Sequence, residues 1–525
     1  MRTFMAGLIG ALALAAAGSG AQAAPIRTQG GQVEGVAQDG MTVYRGVPFA
    51  AAPVGDLRWR PPAAAAPWTG VRKADAFAPA CTQTPLVNAL IGATAMPVSE
   101  DCLYLNVWTP ARTPAERLPV MVWIYGGGFA IGATSMSAYD GASLARKGVI
   151  VVSIAYRLGP FGFLAHPELS AESGHGSGDY GLVDQVAGLQ WVKDNIAAFG
   201  GDPGRVTIFG ESAGGIAVSM LAASPKAKGL FQRAISESGG SFASPRSGSE
   251  GGENVPTLAA AEQHGTSFLA GLGARSIADA RKLPAEAILK AAGPGLGSGF
   301  WPVADGYVLP GDQFLLYQAG RFNDTPVLIG SNADEGALFI SAQSAAQFVP
   351  AVRGPYGEKA DAILAAYPAG SDAAALRSAR DLMRDTGFGW QTWAWARLQS
   401  QKGKGKAYVY YFAHRPPYPD TPQTKDWGAA HGAEINYVFG FPVNQVWSDK
   451  DRAVSEAVQT YWTNFAKTGD PNGGAMPAWP AYDDTKPQVM RFDDTPTVVD
   501  YPNLDKLKAL EGYYAWRRNQ AHAGP

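Results

Sequence analysis

Short apolar runs alternate along the chain with stretches of helical periodicity. The apolar runs predict buried strands at Leu118–Tyr125, Val149–Tyr156, Arg205–Phe209, Pro326–Gly330 and Ala407–Phe412. Continuous apolar runs of this length are typical of a mostly parallel sheet that is covered by helices on both faces. They therefore predict a layered core and not a one-sided antiparallel sheet.

Helical periodicity appears between these strands and in long stretches after them. Val186, Leu189, Val192 and Ile196 recur three or four positions apart, which predicts a helix over Val183–Ile196 with one buried face. The alternation of strand and helix predicts an α/β fold. A polar loop at Ser244–Asn254, with helical patterns through about residue 292 and over 340–400, predicts insertions between core strands that surround a pocket. Leu504–Trp516 predicts a closing helix.

Composition narrows the class of protein and of partner. Of the 525 residues, 46% are hydrophobic and only 17% are charged, which argues for a large compact globule. The net charge is -2 and no basic block is present, so nucleic acid and anionic membranes are not expected partners. Without a clear linker or an internal repeat, residues 24–525 are expected to form a single domain.

The N-terminus has the pattern of an export signal. Arg2 precedes an apolar run over Phe4–Ala17, and Ala21-Gln22-Ala23 fits a cleavage site, so residues 1–23 are interpreted as a signal peptide. The run is short for a membrane span. We therefore expect an exported chain, periplasmic or secreted, without stable membrane insertion.

Cys81 and Cys102 are the only cysteines, and in an exported chain such a pair predicts a disulfide. The six histidines are scattered along the sequence, so no metal site and no cofactor are expected.

The stretch FGESAGG, residues 209–215, contains the pattern G-x-S-x-G around Ser212. A serine on a sharp strand-to-helix turn needs small neighbours two places away, because strand and helix cross closely there. The predicted strand Arg205–Phe209 precedes it, and Gly215–Leu221 can begin a helix after it. The motif alone is also compatible with an ordinary tight turn. With the strand before it and the helix after it, the motif predicts that Ser212 is a nucleophile.

A nucleophilic serine requires N–H groups that hold an oxyanion. The loop Tyr125-Gly126-Gly127-Gly128-Phe129 follows a predicted strand and offers bare backbone, and Ala213 offers a further N–H. A phosphate-binding loop is the weaker interpretation, because no Lys-Ser/Thr follows the glycines.

The base and the acid are less sharply defined by pattern alone. The chain order serine, acid, histidine leaves His414, His431 and His522, of which we favour His431, with His414 as the alternative. Asp334 and Glu335 both follow a predicted strand, and spacing does not choose between them.

Several motifs together resemble the type-B carboxylesterase family, the α/β-hydrolases that include cholinesterases and para-nitrobenzyl esterases. They occur in the order in which the family has them and span nearly the whole chain after residue 23: YRGVPFAAAPVGDLRWRPP, SEDCLYLN, YGGGF, YRLGPFGFL, GLVDQ, FGGDPGRVTIFGESAGG, PVADG, NADEG, HGAEINYVFG and NFAKTGDPN.

This resemblance implies roles that spacing leaves open. It implies Glu335 as the acid and His431 as the base of a triad with Ser212. It also implies an oxyanion hole of Gly127, Gly128 and Ala213, supporting positions at Glu211 and Ser238, and a family disulfide between Cys81 and Cys102.

Two positions depart from the family pattern. The chain has Glu237-Ser238-Gly239 where the family often shows Q-S-G, and Gly178-Asp179-Tyr180-Gly181 where it shows G-N-x-G. Cholinesterase-like members also carry a tryptophan within the first cysteine loop, whereas residues 82–101 contain no aromatic side chain. A choline ester is therefore a poor expectation.

The expected activity is that of a serine carboxylic ester hydrolase, a carboxylesterase that acts on small esters through an acyl-enzyme. An acyltransferase or an amidase would use the same triad, and a non-catalytic interaction protein can share the same fold. The aromatic residues Phe300 and Trp301 are interpreted as core packing in preference to a substrate-binding wall.

Overall fold

The computed structural model describes residues 22–84, 96–246, 255–293, 299–419, 421–422, 424–442 and 446–522. The predicted signal peptide, residues 1–23, lies outside the described residues except for its last two positions. Of the predicted loop at 244–254, only residues 244–246 lie inside them.

The strands of the described chain are mostly short. In chain order they are β1 Ile26–Arg27, β2 Gln32–Glu34, β3 Val36–Gln38, β4 Met41–Pro48, β5 Val71–Lys73, β6 Ala80–Cys81, β7 Val98–Ser99, β8 Tyr104–Thr109, β9 Leu118–Ile124, β10 Ile150–Ile154, β11 Gly201–Glu211, β12 Arg233–Glu237, β13 Val327–Asn332, β14 Ala407–Phe412, β15 Gln488–Phe492 and β16 Thr497–Asp500.

An 11-stranded sheet forms the centre of the fold, in the order β16-β15-β14-β13-β12-β11-β9-β10-β8-β4-β3. Every pairing from β10 through β9 and β11 to β15 is parallel, and the pairings at the two ends are antiparallel. All five predicted strands lie in the parallel part, so the expected mostly parallel sheet is confirmed. The pattern did not identify β12, whose apolar content is two residues, Ala234 and Ile235.

Helices connect the strands and cover the sheet. In chain order they are α1 Ala142–Ala145, α2 Gly159–Phe163, α3 Pro167–Ser173, α4 Tyr180–Asn195, α5 Ala213–Ala223, α6 Leu258–Gly271, α7 Ile277–Arg281, α8 Ala285–Ala292, α9 Gln313–Gln318, α10 Ala345–Tyr356, α11 Ala360–Ala366, α12 Asp372–Arg384, α13 Trp390–Lys402, α14 Ile435–Phe439, α15 Asp449–Thr468 and α16 Leu504–His522.

The central strands are buried on both faces, as their continuous apolar sequences require. Every residue of β10 and β13 is buried, and so is every residue of β9 after Leu118. The predicted helix Val183–Ile196 corresponds to α4, but polar side chains on it are buried as well. One of them, Asp184, forms a buried two-point ion pair with Arg157 at 2.7 and 2.8 Å, which ties α4 to the segment after β10.

Cys81 and Cys102 form the predicted disulfide, with their Cα atoms 4.9 Å apart. A disulfide of this kind is typical of proteins that fold in an extracellular or periplasmic compartment. As for membranes, none of the helices in the described ranges combines the length and the apolar character that a bilayer span needs.

Candidate active site

Ser212 lies between β11 and α5, at the carboxyl end of the parallel strands. Its backbone has φ 54° and ψ -126°, a conformation that residues other than glycine rarely adopt. The Ser212 N–H donates to the carbonyl of Glu237 at the end of β12 over 2.9 Å, and this bond fixes the turn against the neighbouring strand. Strain that the surroundings hold in this way is typical of a functional turn.

The two glycines that flank Ser212 are required by the close crossing of strand and helix. A Cβ on Gly214 would lie 2.0 Å from the Ile124 carbonyl oxygen, and one on Gly210 would lie 2.5 Å from the same atom. Neither position can hold a larger residue without moving the backbone. The G-x-S-x-G spacing is therefore a steric requirement of this turn.

The glycine-rich loop after β9 lies beside the same turn. A Cβ on Gly126 would lie 3.0 Å from the Ser212 Cβ. Gly127 and Gly128 have φ values of 102° and 61°, and a Cβ on Gly127 would lie 2.2 Å from the Ile131 carbonyl oxygen. Within the described ranges, the N–H groups of Gly127, Gly128 and Ala213 have no hydrogen-bond acceptor, so they can donate to an oxygen that enters the site.

His431 bonds to Glu335, as the sequence resemblance implies. Its Nδ1 lies 2.6 Å from Glu335 Oε2, and Glu335 is fully buried in the short helical turn Glu335–Ala337 that follows β13. The other carboxylate oxygen of Glu335 accepts the Asn332 N–H at 2.7 Å and the Ser238 hydroxyl at 2.6 Å. These donors fix the carboxylate, which in turn fixes the tautomer and orientation of the imidazole.

The two alternatives from the sequence are engaged elsewhere. Asp334 accepts the Ala429 N–H at 3.0 Å and so joins the loop after β13 to the loop that carries His431. His414 bonds through Nε2 to Asp451 at 2.9 Å. The side chain of His522 lies outside the described part of the chain.

The Nε2 atom of His431 faces the turn that carries Ser212. It lies 3.3 Å from Oε1 of Glu211, the residue that immediately precedes Ser212. In the described chain no hydrogen bond joins Ser212 to His431, and in unliganded sites this contact is often long and shortens when substrate binds.

Carboxylates surround the imidazole and shift its proton equilibrium. Burial alone lowers the pKa of His431, but the nearby charges of Glu211, Glu335 and Glu434 outweigh burial and raise that pKa above its ordinary value. These carboxylates therefore stabilise a positive charge on the His431 imidazole.

Glu434 and Asn332 belong to this network, although sequence reasoning gave them no role. The Asn332 amide donates to Glu434 Oε2 and to the Ala430 carbonyl. Burial, and next the charge of Glu335, raise the pKa of Glu434 to about 7. Both residues lie three positions from a triad candidate, Asn332 before Glu335 and Glu434 after His431, and this spacing is the signal that could have identified them.

Two phenylalanines pack on the His431 ring and were also missed. Phe388 is stacked on it, with ring centroids 4.6 Å apart and planes at 17°, and Phe339 is tilted against it at 5.1 Å. Phe388 lies in a π-helical turn over residues 385–389, between α12 and α13. Such turns are frequent at functional sites. No sequence pattern marks this one.

Phe300 and Trp301 pack as the sequence interpretation expects. Phe300 is buried against Phe268, and Trp301 packs edge-on against Phe129 with centroids 4.8 Å apart. Trp301 therefore supports the loop that carries Gly127 and Gly128.

One group of side chains within the described ranges has ligand atoms close enough for a metal ion, namely His414, Asp493 and Asp494. Their polar atoms already have partners. Lys450 bonds to Asp494, Arg491 bonds to Asp493 at 2.6 Å, and Asp451 bonds to His414. Because ion pairs and hydrogen bonds occupy these groups, the arrangement is explained without a metal.

Comparison with known proteins identifies the family of the chain. Residues 22–510 match the model of the carboxylesterase family. The chain is 37% identical over 487 residues to a fumonisin B1 esterase of Sphingopyxis macrogoltabida, which covers 89% of this chain and 85% of the relative. It is 36% identical to the para-nitrobenzyl esterase of Bacillus subtilis (strain 168), over 92% of this chain and 98% of that protein.

Solved structures agree as well. A thermophilic PNB esterase superposes with a TM-score of 0.81 at 35% identity, covering 93% of this chain and 99% of the other. A second PNB esterase structure has a TM-score of 0.79 at 35% identity, with the same shares of the two chains covered. The fold is thus the α/β-hydrolase fold, and the chain belongs to the carboxylesterase family as a carboxylic ester hydrolase.

Proposed function

We propose that the chain hydrolyses small carboxylic esters through an acyl-enzyme on Ser212, with His431 as general base and Glu335 as its partner. The observation that carries this proposal is the 2.6 Å bond between Glu335 and a histidine whose other nitrogen faces the strained serine turn. Relatives named for fumonisin B1 and for para-nitrobenzyl esters support an ester as the substrate.

In the first step, Ser212 Oγ attacks the ester carbonyl carbon and its proton passes to Nε2 of His431. The imidazolium that forms lies between Glu335 on Nδ1 and Glu211 near Nε2. Both carboxylates stabilise that positive charge. Glu335 stays ionised throughout and accepts no proton.

The negative charge that develops on the carbonyl oxygen is held by backbone donors. The N–H groups of Gly127, Gly128 and Ala213 are assigned this role. Ala213 directly follows Ser212, Gly127 and Gly128 follow Gly126, which packs on Ser212, and none of the three N–H groups has an acceptor in the described chain. Ala213 is also the first residue of α5, whose dipole favours negative charge at that end. The loss of one such donor typically lowers kcat by about 10²–10³-fold.

When the tetrahedral intermediate collapses, the C–O bond to the alcohol breaks and His431 gives its proton to the leaving oxygen. Water then enters, His431 takes one of its protons, and the hydroxide oxygen attacks the acyl carbon. The acid leaves and Ser212 recovers its proton. Every proton in this cycle moves through His431, so neither a metal nor a cofactor is invoked.

We also infer that residues 24–525 form a single exported domain, released after cleavage of the predicted signal peptide. The Cys81–Cys102 disulfide supports this inference, because such bonds persist in oxidising compartments.

The decisive experiment compares substitutions of two serines: Ser212, which immediately precedes α5, and Ser219, which lies within α5. Ser212→Ala is expected to abolish p-nitrophenyl ester turnover and stoichiometric labelling by a serine-directed phosphonate. Ser219→Ala is the matched control, since this buried hydroxyl donates only to the Ile216 carbonyl within the helix. Wild-type turnover by the folded Ser212→Ala variant would refute the proposal.

Matched ester and amide substrates, with and without added alcohol, separate ester hydrolysis from the amidase and acyltransferase alternatives. Hydrolysis of the ester that exceeds both amide cleavage and acyl transfer supports an esterase. The opposite order of rates assigns the same triad to the alternative activity.

A further inference from the structure

Residues 126–132, which we call the oxyanion loop, contain the two glycine N–H groups assigned to the oxyanion. The loop begins with three consecutive glycines, Gly126, Gly127 and Gly128, and glycine leaves the backbone a wide choice of conformations. A catalytic group that is displaced by about 1 Å can lower a rate by about 10²-fold. The N–H groups therefore need contacts that fix the loop from outside.

The end of the oxyanion loop packs back on its beginning. A Cβ on Gly132 would lie 2.4 Å from the Tyr125 ring and 2.9 Å from the Gly126 carbonyl oxygen. A Cβ on Gly127 would lie 2.2 Å from the Ile131 carbonyl oxygen, and the Gly127 carbonyl accepts the Ile131 N–H at 3.1 Å. Because these atoms are in close contact, a shift of residues 131 and 132 moves Gly127 as well.

One buried side chain, that of Gln83, holds the end of the loop. Gln83 is 3% exposed, its Oε1 accepts the Gly132 N–H at 2.8 Å, and its Nε2 donates to the Gly132 carbonyl at 2.7 Å. Within the described ranges, the Gly132 backbone has no other hydrogen bond. Nε2 also donates to the Cys81 carbonyl at 3.0 Å, and the disulfide ties Cys81 to Cys102. Burial and three hydrogen bonds make this amide a rigid support.

We propose that Gln83 is a positioning residue for the oxyanion hole, which keeps the N–H groups of Gly127 and Gly128 in place through its two bonds to Gly132. This inference rests on the proposed function, because it requires an oxyanion beside Ser212. The full negative charge forms only after the attack, so displaced donors lower kcat and leave KM nearly unchanged.

The alternative is that Gln83 only anchors the segment after Cys81 to the rest of the fold. Loss of the amide would then lower the stability of the protein and leave the kcat of folded molecules unchanged. Kinetics on folded molecules therefore separate the two roles.

The experiment compares two substitutions of buried glutamines. Gln83→Met keeps the length of the side chain and removes both bonds to Gly132. Its kcat for a p-nitrophenyl ester, per site labelled to completion by the serine-directed phosphonate, should fall about 10–100-fold, with KM within about threefold. Gln399→Met is the matched control, because the buried Gln399 amide donates to Asp324 and to the Gly405 carbonyl. It should keep kcat within about twofold.

An alkyl trifluoromethyl ketone gives an independent readout of the oxyanion hole. Ser212 Oγ bonds to its carbonyl carbon, the carbonyl π electrons move onto the oxygen, and the Ser212 proton passes to His431. The adduct thus carries a stable oxyanion, and nothing leaves. Its Ki should rise in Gln83→Met by the factor by which kcat/KM falls, and it should stay unchanged in Gln399→Met. The corresponding methyl ketone, which forms this adduct far less readily, should bind all three proteins equally.

A second substitution keeps the test independent of how Gln83→Met folds. Gln83→Asn retains an amide but is one methylene shorter, so it cannot keep both bonds to Gly132 and the bond to Cys81. It should lower kcat per labelled site by at least about threefold. Thermal unfolding verifies the fold of each variant. The inference is overturned if a folded Gln83 variant has wild-type kcat and Ki, or if Gln399→Met loses as much kcat as Gln83→Met.

Failure of the proposed function is recognised separately from failure of this inference. Wild type that takes up no phosphonate, or Ser212→Ala that keeps full turnover, removes the oxyanion at Ser212 and with it the role of Gln83. Stoichiometric labelling of wild type together with unchanged kinetics in the Gln83 variants overturns the positioning role alone.

Discussion

His431 and His414 place the same chemical pair in two different settings. Each histidine is nearly buried, and each bonds a carboxylate, Glu335 at 2.6 Å and Asp451 at 2.9 Å. Distance and burial alone would assign both of them to a catalytic dyad. The difference lies in what the second ring nitrogen faces.

The second nitrogen of His431 faces the serine turn through Glu211, and that of His414 lies 3.4 Å from Asp494. Asp451 also accepts the Tyr437 hydroxyl at 2.6 Å and the N–H and hydroxyl of Ser448, which caps α15. The His414 pair therefore belongs to the cap of a helix. A histidine–acid pair indicates catalysis only when its remaining nitrogen points at a reacting group.

The largest expected effect is on kcat, and it distinguishes Glu335 from Asp451. Glu335→Gln should lower kcat by about 10³–10⁴-fold, because an amide no longer fixes the imidazole tautomer or stabilises the imidazolium. Asp451→Asn, the matched change in the other pair, should leave kcat within about twofold, since it lies outside the proposed proton path. Steady-state kinetics on a p-nitrophenyl ester measure both. Equal losses in the two variants would mean that the assignment of His431 is wrong.

The second expected effect is on stability, and here the large loss is expected at Asp451, in the His414 pair. Asp451→Ala removes the partner of His414, of Tyr437 and of the α15 cap, which should cost about 2–4 kcal/mol in the free energy of unfolding. Denaturant unfolding measures this cost. A loss below about 0.5 kcal/mol would mean that the network does little to hold the helix.

The same variant has a pH signature. Burial raises the pKa of Asp451, but hydrogen bonds from Ser448, Tyr437 and His414 outweigh burial and lower it to about 2. A carboxyl with a lowered pKa stabilises the fold above its unfolded pKa of about 3.9, and this contribution disappears as the pH falls toward 2. The stability difference between wild type and Asp451→Ala should therefore narrow in acid. A constant difference down to the lowest pH would contradict the ionic part of this account.

The third expected effect concerns the influence of Glu211 on the pKa of His431. The negative charge of Glu211, like those of Glu335 and Glu434, raises the pKa of His431, and the proposed base must be neutral before it accepts a proton. Glu211→Gln should therefore move the acidic limb of the kcat/KM profile to lower pH by about one unit. An unmoved limb, or a shift to higher pH, would exclude this role.

Pattern and motif order predicted much of this architecture because the decisive features are local. Continuous apolar runs identified the central strands, and the steric demand at Gly210 and Gly214 appears directly as a spacing in the sequence. The choice between His431 and His414 could not be made from spacing, because the carboxylate that each contacts is remote in the sequence: Glu335 is 96 positions from His431, and Asp451 is 37 positions from His414. The family resemblance favours His431, and that assignment stays a prediction.

The remaining features depend on contacts between distant segments. Phe388 reaches the His431 ring only because the chain between α12 and α13 widens into a π-helical turn, and no residue pattern announces that widening. Asp179 is a one-residue departure from a family motif in the sequence. In the fold it borders the same cavity as Asp305, which is 126 positions away in the chain, and no local pattern relates the two.

The smallest expected effect concerns the aromatic ring that lies on His431. Phe388→Leu keeps an apolar side chain but removes the stacked ring, so the imidazole loses orientation and its charged form loses a favourable contact with the ring face. A contact worth about 0.5–1.5 kcal/mol predicts a kcat lowered about two- to tenfold, measured well below the unfolding temperature. Phe439→Leu is the control, because this buried ring packs on Trp123 under the central strands and does not stack on His431. It should lower stability and spare kcat, and if it lowers kcat as much as Phe388→Leu does, the loss reflects general loosening of the core and the stacked ring has no specific role.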